Sequence, residues 1–211
     1  MRYLLKSLPP YLFDYVTLMD RLKPYRSPHA KITRMLKQQE IIRVKKGLYI
    51  LAPEWGGELD KLVLSNLIYG PSYVSLDAAL SYWGLIPERV EEVTCVTNKR
   101  NKRFVTPVGR FSYHYLNNHR FSMGRKLEGT GPARFLIASP EKALCDKIAS
   151  LPHLNKAYEV SQLLEFDLRV DLEELAGMDA QMLQAIQTHY KKAAVTRFVR
   201  WYLQTYGNTQ P

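Results

Sequence analysis

The sequence predicts an α+β protein, with an N-terminal winged helix-turn-helix over residues 1–53 and a mixed α/β domain over residues 54–211. Three observations carry this expectation. Residues 15–51 run in the order helix, turn, basic helix, glycine-tipped hairpin. Strand-like runs at 92–97 and 111–115 then follow helical patterns at 59–69 and 75–83. From about residue 155 onward the pattern is helical alone. With 211 residues and 46% apolar side chains, the chain has enough material for one large or two small domains with a proper core.

Tyr15–Leu22 (YVTLMDRL) reads as a short amphipathic helix, and Lys23–Arg26 as the turn after it. Ser27-Pro28 is a helix start, with serine in the capping position and proline at the first helical one. Ile32, Met35 and Leu36 fall on one face of the helix that follows, at a period of 3.6. The opposite face presents Ser27, Ala30, Lys31, Arg34, Lys37 and Gln38, with no acid before Glu40. An ordinary solvated helix mixes charge signs at i,i+4. In the hairpin IIRVKKGLYIL, alternation puts Ile42, Val44, Leu48 and Ile50 inward and Arg43, Lys45 and Tyr49 outward, while Gly47 makes the turn. Helix, turn, basic helix and hairpin is the element order of a winged helix-turn-helix. On that reading the second helix enters the major groove, and Lys45 and Lys46 meet phosphate or the adjacent minor groove.

Charge is unevenly spread. Residues 1–50 carry 11 basic and 3 acidic side chains, residues 51–96 carry 2 and 7, residues 97–150 carry 11 and 3, and residues 151–211 carry 6 and 7. Two basic blocks around an acidic one form the electrostatic footprint expected of nucleic-acid binding rather than of a uniformly basic protein.

Further along, Leu59–Tyr69 reads as a buried helix stopped by Gly70-Pro71, and Ser75 or Asp77 as the cap of a helix running through Trp83 to Gly84. Between the strand-like EVTCVT and FSYHY lies NKRNKRF; Val105–Thr106 continues the returning strand, and Pro107 and Gly109 turn it. Lys99, Arg100, Lys102, Arg103, Arg110, Arg125 and Lys126, with Arg120 nearby, stand either as a second nucleic-acid contact or as a solvated loop. Phe104, Phe111, Tyr113 and Tyr115 suit a core better than a base-stacking platform. Ser139-Pro140-Glu141-Lys142 has the Ser-x-x-Lys spacing of acylating serines, but it is also a capped helix start, and no companion motif follows. The helical patterns of the tail are Ala157–Phe166, Asp171–Met178 and a long stretch from Ala180 to Tyr206, in which Val195, Phe198, Val199 and Tyr202 make one apolar stripe.

Other chemistries leave little trace. Cys95 and Cys145 sit in unrelated contexts and read as buried thiols of a reducing compartment. The five histidines show no zinc spacing, and neither a cofactor nor a metal is expected. No apolar run approaches a membrane span, and Lys6 and Pro9-Pro10 break any signal-peptide pattern, so a cytoplasmic location is expected.

Four stretches in order, RVKKGLYIL, YVSLDAALSYWGLIP (73–87), VTCVTNKRNKRFVTPVGRFSYHYL and FLIASPEKALCDKI (135–148), resemble the AbiEi family of antitoxins from type IV toxin–antitoxin systems of bacterial abortive infection. The resemblance covers roughly residues 10–150. It implies a non-enzymatic antitoxin that represses its own operon by binding inverted repeats in the promoter. It also implies a functional partner, a nucleotidyltransferase-like toxin, countered without a stable complex. Ser27, Lys31, Arg34, Lys37, Gln38, Arg43, Lys45 and Lys46 are the expected DNA-binding residues. A nucleic-acid-processing enzyme, or an RNA-binding protein using the basic central domain, is the alternative.

Overall fold

Two helices and a three-stranded sheet make up the N-terminal unit in a computed structural model of the chain, which describes residues 7–9, 12–56, 60–151 and 160–207. Strand β1 (Phe13–Asp14) leads into helix α1 (Tyr15–Arg21), whose first turn is capped by Asp14 accepting from the Thr17 N–H at 2.7 Å. Helix α2 (Pro28–Lys37) follows, then β2 (Ile41–Lys45) and β3 (Leu48–Leu51), in the sheet order β1-β3-β2. This is the arrangement of a winged helix-turn-helix, with a two-residue turn at Lys46-Gly47. Gly47 has φ +80°, a conformation costly for any residue with a Cβ. Ser27 occupies the N-cap position of α2 without a side-chain cap bond, so proline and backbone geometry start this helix.

The alternation expected of the hairpin is present, but both faces of β3 are covered. Val44, Leu48 and Ile50 pack into the central core. Ile41, Tyr49 and Leu51 pack with Phe13, Leu18, Leu22, Ile32 and Met35 in a separate N-terminal core. Tyr49, expected to face outward, is therefore buried, because β3 is the middle strand of a sheet with a core on each side.

The central sheet has six strands in the order β6-β7-β5-β4-β9-β8. They are β4 (Ser72–Val74), β5 (Glu92–Thr97), β6 (Lys102–Thr106), β7 (Gly109–Tyr115), β8 (Arg125–Glu128) and β9 (Phe135–Ala138). Pairing is mixed: β5 runs parallel to β7 and β4 to β9, while β4/β5, β6/β7 and β8/β9 are antiparallel. Helices α3 (Lys61–Ile68), α4 (Leu76–Tyr82), α5 (Asn118–Phe121) and α6 (Pro140–Ser150) complete this part. Ser139 caps α6 as expected, its Oγ accepting from the Lys142 N–H. Ser75 does not cap α4. Its hydroxyl donates to Asp146, and Thr94 of the neighbouring strand takes over, accepting from the Ala78 N–H at 3.0 Å.

The stretch 180–206 is two helices, α7 (Ala180–Tyr190) and α8 (Ala193–Tyr206), rather than one. Lys191 adopts φ +48° at the break, which turns the chain so that α8 packs back on α6 and α7. Val195, Phe198, Val199 and Tyr202 are all buried, so the apolar stripe of α8 belongs to the core. Of the tail's earlier patterns, Ala157–Phe166 lies partly outside the described residues; Val160–Gln162 is helical and Leu163–Asp167 π-helical. Asp171–Met178 reduces to a 3₁₀ turn at Glu174–Gly177. Among the described residues no helix is long and apolar enough to cross a membrane.

Candidate nucleic-acid interface

Helix α2 and the β2–β3 turn present an exposed cationic surface. Ser27, Arg34, Lys37, Gln38, Arg43 and Lys46 are exposed, and none of these four cations pairs with a carboxylate among the described residues. The first helix is tied to this surface through Tyr15, whose ring stacks on His29 with centroids 6.2 Å apart. The wing turn is fixed as well, because the Gly47 carbonyl accepts from the Tyr15 N–H at 2.9 Å.

Two expected DNA contacts are not on this surface. Lys31 is buried, with its Nζ 3.9 Å from Glu40 Oε2 and 5.9 Å from the centre of the Tyr25 ring. At about 100° per residue, Lys31 sits roughly 40° from Met35 around the helix, so the helical phase carries it inward. Glu40, just past the helix end, answers its charge. Lys45 is half-buried and donates to the Ile68 carbonyl, with its Nζ 5.9 Å from the Phe104 ring centre. Burial, with Lys99 nearby, lowers the Lys45 pKa from its ordinary value. This lysine ties the hairpin to the central domain.

The second basic group does not form one surface. Lys99, Arg100, Lys102, Arg103 and Arg110 lie at the β6/β7 edge, while Arg125 and Lys126 lie on β8 at the opposite edge. Five strand spacings of about 4.8 Å put these edges roughly 24 Å apart. Many of the charges are also engaged. Arg103 makes a two-pronged pair with Glu92 at 2.9 and 3.0 Å, and Arg110 pairs with Glu91 at 2.8 Å. Lys99 donates to the Gly70 carbonyl at 2.6 Å. Arg125 and Lys126 lie over the Phe121 and Trp83 rings at 4.9 and 5.4 Å. Phe111 and Tyr113 are core residues and Phe104 packs against them, whereas Tyr115 is 58% exposed.

The Ser-x-x-Lys pair resolves into a buried polar centre that sequence reasoning missed. Lys142 is fully buried, and its Nζ donates to Asp146 Oδ1 at 2.8 Å, to the Arg120 carbonyl at 2.9 Å and to the Tyr190 hydroxyl. Tyr190 in turn donates to Asp146, as do Tyr73 at 3.0 Å and Ser75 at 2.8 Å. The ammonium is spent on these acceptors rather than on Ser139 Oγ. Burial drives the Lys142 pKa down despite Asp146, and it drives the Tyr73 and Tyr190 phenols up. The signal available in the sequence was Lys142 and Asp146 at i,i+4 on a helix otherwise apolar enough to be buried. Among the described residues no three His, Cys, Asp or Glu side chains gather as metal ligands.

Gly124 closes over this centre with φ +69°, and a Cβ there would lie 2.9 Å from the Lys142 Cβ. Gly124→Ala is expected to lower the unfolding free energy by about 1–3 kcal/mol, from the left-handed backbone and the overpacking together. Urea denaturation monitored by circular dichroism measures it.

No family model matches the chain, and no curated protein matches it. Among solved structures, the chain is similar to the crystal structure of the RV2827C protein from Mycobacterium tuberculosis, at 14% identity and a TM-score of 0.63, over 97% of this chain and 75% of that one. At that identity the likeness shows a shared fold.

Proposed function

We propose that the chain is a cytoplasmic DNA-binding autorepressor and the antitoxin of a type IV toxin–antitoxin system. The observation that carries the DNA-binding reading is the exposed set Arg34, Lys37, Arg43 and Lys46 on α2 and the wing, without carboxylate partners among the described residues. Duplex phosphate supplies the missing counter-charge, and Arg34 with its neighbours on α2 reads base edges in the major groove. The antitoxin reading rests on the resemblance to the AbiEi family. In that reading the chain counters a nucleotidyltransferase-like toxin without holding it in a stable complex.

Fluorescence anisotropy on the operon's own promoter tests the DNA-binding half. The promoter fragment is expected to bind more tightly than a scrambled duplex, and Arg34→Ala to cost about 1–3 kcal/mol. Equal affinity for both duplexes, together with an unchanged Arg34→Ala, would remove this reading. Co-expression with a neighbouring nucleotidyltransferase tests the other half. Relief of growth arrest supports it, and a stoichiometric complex on co-purification counts against the type IV mechanism.

A further inference from the structure

A cavity of about 320 Å³ opens at the ends of the parallel strands β5 and β7, where Val96, His114 and Tyr115 line it. Its volume lies near the lower end of the range that holds small-molecule ligands, about 300–1,000 Å³, and crevices at the carboxyl ends of parallel strands are a recurrent place for them.

The polar groups lining it are unevenly matched. Arg120 Nε is buried and has no hydrogen-bond acceptor among the described residues. The guanidinium lies over the Tyr190 ring, 5.6 Å from its centre, a contact that leaves that donor unsatisfied. Asn101 uses its side-chain oxygen to accept from the Tyr115 N–H at 2.6 Å, and Asn117 uses its own to accept from the Arg120 N–H at 3.2 Å. Each amide thus keeps its NH₂ for donation. Lys192 stands at the wall, anchored to the Ala149 carbonyl at 2.7 Å with further N–H groups to give. Asp146 is the acidic residue of the lining, and its carboxylate already receives Lys142, Tyr190, Tyr73 and Ser75. The spare capacity of the cavity is therefore in donors, and its uncompensated charge is positive.

A guanidinium without an acceptor is rare in folded proteins, and Arg120 carries its unmatched charge into the wall of this cavity, where an anionic acceptor fits. We infer that this cavity binds a phosphomonoester of mononucleotide size, with the phosphate on Arg120, Lys192 and the two amides and its aromatic body against the exposed ring of Tyr115. The chemistry of the recognition is charge-assisted donation to phosphate oxygens together with stacking. The cavity is separate from α2 and the wing, so this assignment stands or falls independently of DNA binding.

Isothermal titration of the full chain with AMP, inorganic phosphate and adenosine tests it. AMP is expected to bind saturably and phosphate more weakly, with no binding of adenosine. Arg120→Gln is expected to weaken AMP at least tenfold, and Tyr115→Ala to weaken AMP while leaving phosphate unchanged. Because Arg120 packs on Tyr190, a second reading avoids substitution altogether: in the wild-type chain the Arg120 Nε–H resonance shifts on AMP addition. Absence of saturable AMP binding, adenosine binding as well as AMP, phosphate binding without AMP binding, or an Arg120 resonance unmoved at saturation would each overturn the assignment.

Discussion

Asp146→Ala is expected to lower the unfolding free energy by about 3–5 kcal/mol, the cost of removing one partner from a buried ion pair. The size follows from what is left behind. Four donors converge on that carboxylate, from Lys142, Tyr190, Tyr73 and Ser75, and the substitution deprives each of an acceptor. Lys142→Met leaves the carboxylate with three hydroxyls but without its counter-charge, and strips the Arg120 carbonyl of a donor, so its cost is expected to fall in the same range. The Asp146→Ala deficit should also depend on pH. Burial already lowers the Lys142 pKa, and the counteracting Asp146 would be gone. In that variant the unfolded chain binds more protons than the folded one up to the ordinary lysine pKa. Its stability therefore rises with pH between the depressed lysine pKa of the folded chain and the ordinary one, and the deficit narrows over that window. Equilibrium urea unfolding at several pH values reads both effects; a loss below about 1 kcal/mol would mean that the centre contributes little.

The second large effect is on DNA. Replacing Arg34, Lys37, Arg43 and Lys46 together with glutamine is expected to flatten the dependence of log affinity on log salt by about 1.8–3.6, at roughly 0.9 per phosphate contact, the lower figure for Arg43 and Lys46 alone on phosphate and the upper for all four. Between about 50 and 200 mM salt, that difference corresponds to a factor of about 10 to 10² in affinity. Lys45→Met serves as the internal comparison. Its ammonium is given to the Ile68 carbonyl, so the slope is expected to stay at the wild-type value although a wing lysine has been lost. Anisotropy titrations across salt concentrations give both slopes. An unchanged slope in the fourfold variant, or a drop of about 0.9 in Lys45→Met, would count against this surface of α2 and the wing as a site of DNA contact.

Local signals were readable from the sequence, and longer-range ones were not. Ser139-Pro140 starts a helix because cap and proline act within one turn, and Pro107 and Gly109 mark the β6–β7 turn for a similarly local reason. The four exposed cations of α2 and the wing follow from phase and composition. Lys31 was legible in principle, since its phase places it beside Met35, but the acid that settles its burial lies beyond the helix end. Lys45 and Ser75 are decided by partners 23 and 71 residues away, which no local pattern encodes. The strand edges that separate Arg125 and Lys126 from Lys99–Arg110 are equally invisible before the sheet order is known. Asp146 and Arg120 gain their chemistry only when α4, α5, α6 and α7 meet.

Because β3 is lined by apolar side chains on both faces, the wing sheet is a party wall and not an appendage. A fragment ending at residue 53 would strip Val44, Leu48 and Ile50 of the residues they pack against. The chain should accordingly lose its N-terminal unit and its central sheet in one cooperative transition. On the proposed DNA-binding reading, a duplex held at α2 would act as a thermodynamic brake on the unfolding of the whole chain, and loosening of the distant core would be felt as a weaker grip on DNA.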